Sequence, residues 1–506
     1  MKHLLLLLLL MAAWRSDARP NVLMICVDDL RPLLGCYGEK IVKSPNIDRL
    51  AARGTVFERA YCQAPQCGPS RVSFMTGLRP QTTGIYSLRD RFKFDRRQGA
   101  RFVTLPEHFI RHGYHARAFG KIFHDGRDDP RSWSKPASPG RPDEILEVAD
   151  TAALEGVDFS RRSEVPTLIA PRTNCPAWQS PDVPDEALYA GRMTTEVLGL
   201  LPELKRRPFF LAVGYRRPHL PFVAPRKYFD LYPPAERLLP TQTEPPVGAH
   251  YRAFYNAANY AADKGRGRWG VPLDPGDREE AIAWNGFELR SYQLVPDHGR
   301  LPDDMVIQLR RAYLACVTYV DTQIGRLLDG LRREGLMDDT IICLFSDHGW
   351  HLGEHGTWSK MTNYEWAARV PLIVTAPGMK RGHTRALTEL VDVYPTLCEL
   401  AGLPIPDHAE GSSLLPWLRD PARAGRAAAF TQYPRKGWAM GRAVRTDRFR
   451  YVEWRDEKTH ELKARELYDH RNDPGETVNV VDRADLAGEV AELADRVRRQ
   501  WSAARP

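Results

Sequence analysis

Cys67 stands in the stretch CQAPQCGPSRVSFMTGLRP, Cys62 to Pro80, two residues ahead of Pro69. Proline lacks an N–H and has its φ preset, so it suits the first turn of a helix. Cys67 then falls at the positive end of that helix, among backbone donors without partners, and Arg71 adds a full charge close by. Together they describe an anion pocket with a reactive sulfur at its mouth. Asp28 and Asp29 follow one apolar run, and Asp347 and His348 follow another. Three carboxylates brought to one crevice repel unless a cation joins them, and hard oxygen ligands favour Ca²⁺ or Mg²⁺. The segment DHGWHLGEHG offers a competing zinc set through His348, His351, Glu354 and His355. Its three glycines make it a poor helix, and no Cys or His set elsewhere completes a tetrahedral site, so zinc is disfavoured. Arg71, Lys121 and Lys360 can clamp an oxyanion, and His124 and His219 can act as general acid or base near neutral pH.

Positioning these residues falls to a set of buried strands. Asn21 to Val27 (NVLMICV) is nearly continuous apolar sequence rich in β-branched residues, the pattern of a strand covered on both faces. SPNIDRLAARG reads as a short helix with Ser44 as cap, Pro45 in first position and Gly54 as stop. TLPEHFIRHGYHARAFGK reads helix, glycine stop, strand, with Lys121 just beyond. Phe209 to Gly214 forms another strand with His219 in the following loop. Residues 303–335 carry helical periodicity, and TIICLFSDHGW and VPLIVTAPG each hold a strand. Alternating strands and helices predict an α/β fold, a large, mostly parallel sheet flanked by helices. Ligands in such sheets bind beyond the carboxyl ends of the strands, where Asp28, Asp29, Lys121, His219, Asp347 and His348 all fall. From about residue 430 the alternation of AVRTDRFRYVEWR and the amphipathic stretch RADLAGEVAELADRVRRQW predict a smaller α+β unit. The expected division is a signal peptide over 1–18, a catalytic domain over 19–428 and an antiparallel sheet plus helix over 429–506.

The 506 residues exceed one simple core, and 43% hydrophobic with 27% charged residues describe an ordinary globular chain. Lys2 and His3, the apolar run from Leu4 to Ala13 and the small residues Ser16 and Ala18 make a secretory signal, too short to anchor in a bilayer. No later run reaches membrane-spanning length, so a periplasmic or extracellular protein is expected. The absence of any Asn-x-Ser/Thr sequon argues against glycan-dependent lysosomal sorting. A net charge of +8, with Arg89, Arg91, Arg96 and Arg97 clustered, suits a solvated basic face or a polyanionic substrate. Export argues against nucleic acid. Of eight cysteines, Cys26 and Cys343 lie in strands, Cys316 and Cys398 on helices, and Cys36, Cys62 and Cys175 in loops open to disulfide formation.

The stretch CGPSRVSFMTG is similar to the signature of the type I, formylglycine-dependent sulfatases: Cys-x-Pro-Ser-Arg followed by Thr-Gly. NVLMICVDDLR, GKIFH, GYRRPHLPF and SDHGWHLGEHGTWSK fall in that family's order, and the last three, with TQYPR at Thr431 to Arg435, most resemble iduronate-2-sulfatases. The resemblance runs from about Pro20 to the C-terminus and implies the alkaline-phosphatase-like sulfatase fold. It further implies that a maturation enzyme oxidises Cys67 to formylglycine, whose hydrate attacks sulfur and then collapses to expel sulfate. It assigns one Ca²⁺ to Asp28, Asp29, Asp347, His348 and the modified Cys67. It gives Arg71 the hydrate to orient, Lys121 and Lys360 the sulfate to hold, and His124 and His219 the hydrate and the leaving oxygen. Gly68 and the pair Phe74-Met75 depart from the common pattern, and SLRDRFKF does not match the iduronate enzymes. The implied substrate is a sulfated carbohydrate, with 2-O-sulfated uronate of a glycosaminoglycan as the specific expectation. The alternatives are a phosphate or phosphonate monoester hydrolase on the same fold, or a non-catalytic binder of sulfated polysaccharide.

Overall fold

The computed structural model of the protein describes residues 19–88, 90, 102–124, 128–138, 176–258 and 271–502. The signal-peptide region, Arg89, Arg91, Arg96, Arg97 and Cys175 lie outside the described residues. The main sheet is built from β1 (Asn21–Val27), β2 (Thr55–Tyr61), β3 (His115–Gly120), β4 (Phe209–Tyr215), β5 (Thr340–Ser346), β6 (Arg369–Val370), β7 (Leu372–Thr375) and β8 (Gly382–Glu389). Its order runs β3-β4-β1-β5-β7-β2, with β6 and β8 also on β2. The run β3-β4-β1-β5 is parallel throughout, while β7 is antiparallel to both its neighbours. The helices that bear on the site are α1 (Pro45–Ala51), α2 (Cys67–Thr76), α3 (Tyr189–Leu204), α4 (Asp303–Arg333) and α5 (Val393–Leu400).

β1 shows why the sheet is covered twice. All seven of its residues are buried. Alternate side chains point to opposite faces. Leu23, Ile25 and Val27 join a core with Leu309, Tyr313, Val320 and Ile324 of α4. Val22, Met24 and Cys26 join the other core with Phe74 and Met75 of α2 and Tyr394 and Leu397 of α5. Each large apolar side chain so buried contributes roughly 1.5–3 kcal/mol. β1 is thereby locked between β4 and β5, with Val27 beside Tyr215 and Ser346.

The start of α1 differs from the sequence expectation. The Ser44 side chain accepts no N–H from the helix; its hydroxyl donates to Asp48 Oδ1 at 3.2 Å. Asp321 of α4 takes the cap instead, accepting from the Asn46 N–H (3.1 Å) and the Ile47 N–H (2.7 Å). A carboxylate satisfies two free helix N–H groups at once and is charge-matched to the helix end. The loop cysteines Cys36 and Cys62 are free thiols, so they form no disulfide with a described residue.

A second, antiparallel sheet follows, with strands β9 (Ala429–Arg435), β10 (Ala439–Arg445), β11 (Phe449–Arg455) and β12 (Leu462–Asp469) in sequence order. Helix α6 (Ala487–Ser502) lays Val490, Leu493 and Val497 on Val444, Phe449 and Leu467 of this sheet. Arg450 ties it to the first part of the chain by pairing its Nη2 with Glu365 at 2.5 Å, while its Nε pairs with Glu476 of the C-terminal part at 2.5 Å. No described helix is long and apolar enough to cross a membrane.

Candidate active site

The register of the parallel strands determines where the polar residues meet. Val27 lies beside Ser346, and Gly120 beside Gly214, so the residues after these strands emerge along one edge. Asp28, Asp29, Asp347, His348 and Lys121 lie there, all buried. Asp29 has φ 62°, a left-handed turn that aspartate tolerates. The turn ends β1 and lets two successive side chains serve one crevice, where extended strand would send them to opposite faces. Lys121 reaches the crevice because glycines let β3 and β4 converge. A Cβ on Gly214 would collide with the Lys121 carbonyl, and one on Gly120 with the Gly214 carbonyl.

α2 brings the sulfur. Cys67 is its first residue, 1% exposed, and Sγ sits 3.4 Å from Asp28 Oδ1 and 3.2 Å from His348 Nε2. Ser70 fastens the helix by donating to the Asp347 carbonyl. Arg71, one turn on, donates from Nε to Asp347 Oδ2 at 2.9 Å and from Nη1 to the Ile122 carbonyl at 2.9 Å, and faces Asp28 Oδ1 at 3.3 Å. Lys121 Nζ pairs with Asp28 Oδ2, and Lys360 Nζ with Asp29 Oδ1 at 2.8 Å and Oδ2 at 3.1 Å. His219 Nδ1 bonds to the Leu220 carbonyl at 2.6 Å, which leaves Nε2 facing Glu288 Oε1 at 3.2 Å. His124 lies half-buried three residues after Lys121 on the same segment.

Burial and charge oppose one another throughout the cluster. Burial alone would raise the Asp28 pKa, but Lys121 and Arg71 hold it well below the carboxylate range. At Asp29 burial prevails over Lys360, and its pKa lies well above that range. Burial, reinforced by Asp28, pushes the Cys67 thiol up to about 12. Burial, with Lys360 and Lys121, brings His219 down to about 4.

Asp28, Asp29, Cys67 and His348 each offer an atom within 4.8 Å of the others, a set that can hold a cation. Asp347 lies alongside, but its Oδ1 accepts the Asp29 N–H at 3.3 Å and its Oδ2 takes Arg71. The donor chemistry fits a hard divalent ion. The carboxylates of Asp28, Asp29, Asp347 and Glu288 gather around the basic groups of Arg71, Lys121 and Lys360 in a space nearly closed to water. His351 and His355 stand apart from this set. Their Nε2 atoms bond to the Thr362 hydroxyl and the Gly475 carbonyl, each at 2.8 Å, which are packing roles.

Glu288 was not singled out from the sequence, nor were the two asparagines that place it. Asn285 donates to Thr357 Oγ1 at 2.9 Å, and Asn256 donates to the Trp358 and Lys360 carbonyls at 3.3 and 3.2 Å. The Asn256 N–H returns to Asn285 Oδ1 at 2.8 Å. An isolated asparagine between loops carries no periodicity, so no sequence signal marks this clasp. The backbone it holds is strained: Ser359 and Met361, flanking Lys360, have φ of 108° and 69°. Each such residue costs on the order of 1–3 kcal/mol and persists where surroundings over-determine it.

Residues 20–403 match the family model "Sulfatase", and residues 353–503 match "N-sulphoglucosamine sulphohydrolase, C-terminal". The chain belongs to the sulfatase family. This sulfatase is 34% identical to the iduronate 2-sulfatase of Mus musculus, with 92% of each chain covered. It is 35% identical to that of Homo sapiens over 86% of this chain and 84% of the other. Among solved structures, the phosphonate monoester hydrolase SpPMH from Silicibacter pomeroyi superposes with a TM-score of 0.72 at 25% identity, covering 96% of both chains. The sulfatase is thus a sulfuric ester hydrolase of iduronate-2-sulfatase type, and the edge where its parallel strands end is its candidate active site.

Proposed function

We propose that the protein is an exported sulfatase that removes sulfate from sulfated sugars, with 2-O-sulfated uronate of a glycosaminoglycan as its substrate, using a formylglycine made from Cys67 and one bound Ca²⁺. The observation that carries this reading is the charge of the crevice around Cys67. Ligand atoms of Asp28, Asp29, Cys67 and His348 converge as a cation site needs, and the basic groups of Lys121 and Lys360 stand beside them, an arrangement that suits a divalent ion together with an anionic ester. Calcium in this place would be held by Asp28, Asp29, His348 and residue 67, with Asp347 beside them, and would supply positive charge to the ester oxygens. The high thiol pKa of Cys67 accords with a nucleophile that is not a thiolate.

The chain's own residues divide the remaining work. Lys121 and Lys360 hold the sulfate oxygens from two sides. Arg71 spends its donors on Asp347 and on backbone carbonyls, so it fixes α2 and the nucleophile at residue 67 in position. His219, oriented by its Nδ1 bond to the Leu220 carbonyl, serves the leaving sugar oxygen. His124 serves the proton on the nucleophile's side. Burial excludes water and strengthens each of these interactions.

A second reading, a phosphonate monoester hydrolase, is favoured by the likeness to SpPMH, since a phosphonate monoester also carries one negative charge. Matched sulfate, phosphate and phosphonate esters of one phenol, together with defined sulfated disaccharides, test both. The proposal expects sulfate esters to be preferred by at least about 10²-fold and 2-O-sulfated uronate to release sulfate. A preference for the phosphonate ester overturns it.

A further inference from the structure

A second cavity, of about 590 Å³, lies apart from the crevice, between the first part of the chain and the C-terminal sheet. Arg31, Trp366 and Arg369 line it from one side, and Arg445, His470 and Arg471 from the other. No residue placed above in the candidate active site lines it. Trp350 stands between the two, with its carbonyl 3.4 Å from Arg31 Nη1 and its ring 4.9 Å from Lys360 Nζ. The arginine donors of the cavity are only partly used. Arg31 gives Nη1 to Glu354 at 3.0 Å, and Arg369 gives Nε to the Glu58 carbonyl at 2.8 Å. Among the described residues, no hydrogen-bond acceptor takes Arg31 Nη2, either Nη of Arg369 or the Arg471 side chain. We propose that this cavity is a second, non-catalytic site for an oxyanion, a sulfate or carboxylate group, held by these guanidinium forks between the two parts of the chain.

Three observations favour an anion there. Aromatic rings pre-set the guanidinium groups: Arg31 lies over Trp366 at 4.5 Å from the ring centroid, and Arg369 over Tyr37 at 6.0 Å. The nearby carboxylates are mostly engaged already. Asp447 pairs with Arg59 at 2.6 Å, Glu365 with Arg450 at 2.5 Å, and Glu58 lies against His383 and Arg385 at 3.4 and 4.0 Å. Glu39 also lines the cavity and makes no ion pair among the described residues. Arg471 makes none either, and Arg369 approaches only Glu365, at 3.9 Å. The third observation is a pair of buried donors left over. Trp366 Nε1 has no hydrogen-bond partner among the described residues, and Arg445 Nε, 3.5 Å from Glu365 Oε2, makes no hydrogen bond. Folded proteins leave few buried donors in this state, and such a group marks a place for an ion or an ordered water. Planar guanidinium forks match sulfate and carboxylate oxygens two at a time, and a cavity of this size admits a sugar unit bearing such a group.

Titration calorimetry at constant ionic strength tests this with two probes, inorganic sulfate and a 2-O-sulfated uronate disaccharide. The full chain carries Cys67→Ala, so that no ester is turned over, and is compared with the same chain also carrying Arg369→Gln and Arg471→Gln. Both arginines reach solvent, and Arg471→Gln alone, at an exposed position, serves if the pair disturbs folding in a thermal melt. The expected result is a binding event besides that of the crevice, weakened at least about tenfold by the arginine substitutions. In the chain that keeps Cys67, the same substitutions should leave kcat and KM for 4-nitrophenyl sulfate within about twofold. A second event with inorganic sulfate, lost in the variant, assigns the site to the free oxyanion. A second event with the disaccharide alone, lost in the variant, assigns it to an acidic sugar. A single event with both probes, or a second event that the substitutions leave unchanged, overturns the proposal. So does a larger change in kcat or KM, which would place these arginines in the work of the crevice.

Discussion

At the scale of single residues, the centre depends on groups that are costly to bury unless all are present. Cys67→Ala removes one buried sulfur at a packing cost of about 1 kcal/mol, so the variant should fold and lose all sulfate release; a malachite-type or ion-chromatographic assay of product beside a thermal melt checks this. The proposed divalent ion would balance the buried Asp29 carboxylate. Treatment with EGTA should therefore lower Tm as well as activity, and Ca²⁺ should restore both, worth about 2.7 kcal/mol at a hundred times Kd. Asp29→Asn should show a much smaller calcium-dependent gain in Tm, and an equal gain would place the ion elsewhere. Asp28, Asp29, Asp347 and His348 were legible in the sequence because each pair ends a run that must be a buried strand. Glu288 was not, because GFELR is an ordinary charged stretch whose meaning comes only from the segment folded against it. The cap of α1 was misread at Ser44 for the same reason: its replacement, Asp321, is 275 residues away from Asn46.

At the scale of elements, strand ends and glycine contacts set how closely the catalytic groups approach. Gly214 permits β4 to touch the backbone of Lys121. Gly214→Ala should push the end of β3 outward, costing about 1–3 kcal/mol through overpacking. It should also lower kcat more than a surface Gly→Ala control such as Gly199→Ala, where no atom lies within 4 Å of the added Cβ and φ is not positive. Urea denaturation and steady-state rates on both variants give the comparison; equal rates would separate the glycine contact from the site. β1, β4 and β5 were readable because their burial on both faces writes itself as unbroken apolar sequence, and α4 because its periodicity holds over 31 residues. The reversal of β7 was not readable, since strand direction depends on how the chain returns to the sheet and not on which residues it contains.

At the scale of the whole molecule, Arg450 and Glu476 of the C-terminal part join it to the rest through Glu365, all three buried. Burial opposes ionisation of Glu476, but Arg450 and His470 hold its pKa down to about 2, and Arg445 and Arg450 keep Glu365 well below the usual range. A depressed folded pKa adds stability above the unfolded value, about 4.3, and that stability is lost as pH falls towards 2, a contribution of about 3 kcal/mol for Glu476. Arg450→Met should cost about 3–5 kcal/mol at neutral pH by stranding two carboxylates. It should also flatten the fall in stability between pH 5 and 3, as read by urea midpoints; a slope unchanged from wild type would remove this pairing as its source. The antiparallel character of this sheet was legible in its alternating residues, whereas its attachment was not, because it runs through single charged side chains. The crevice itself is assembled from distant parts of the chain: 281 residues separate Cys67 from His348. On a ribosome, α2 is therefore complete long before β5 exists to close over it. If Cys67 is converted as proposed, the modifying enzyme would have to reach it before β5 docks, and a chain that missed that interval would fold silent.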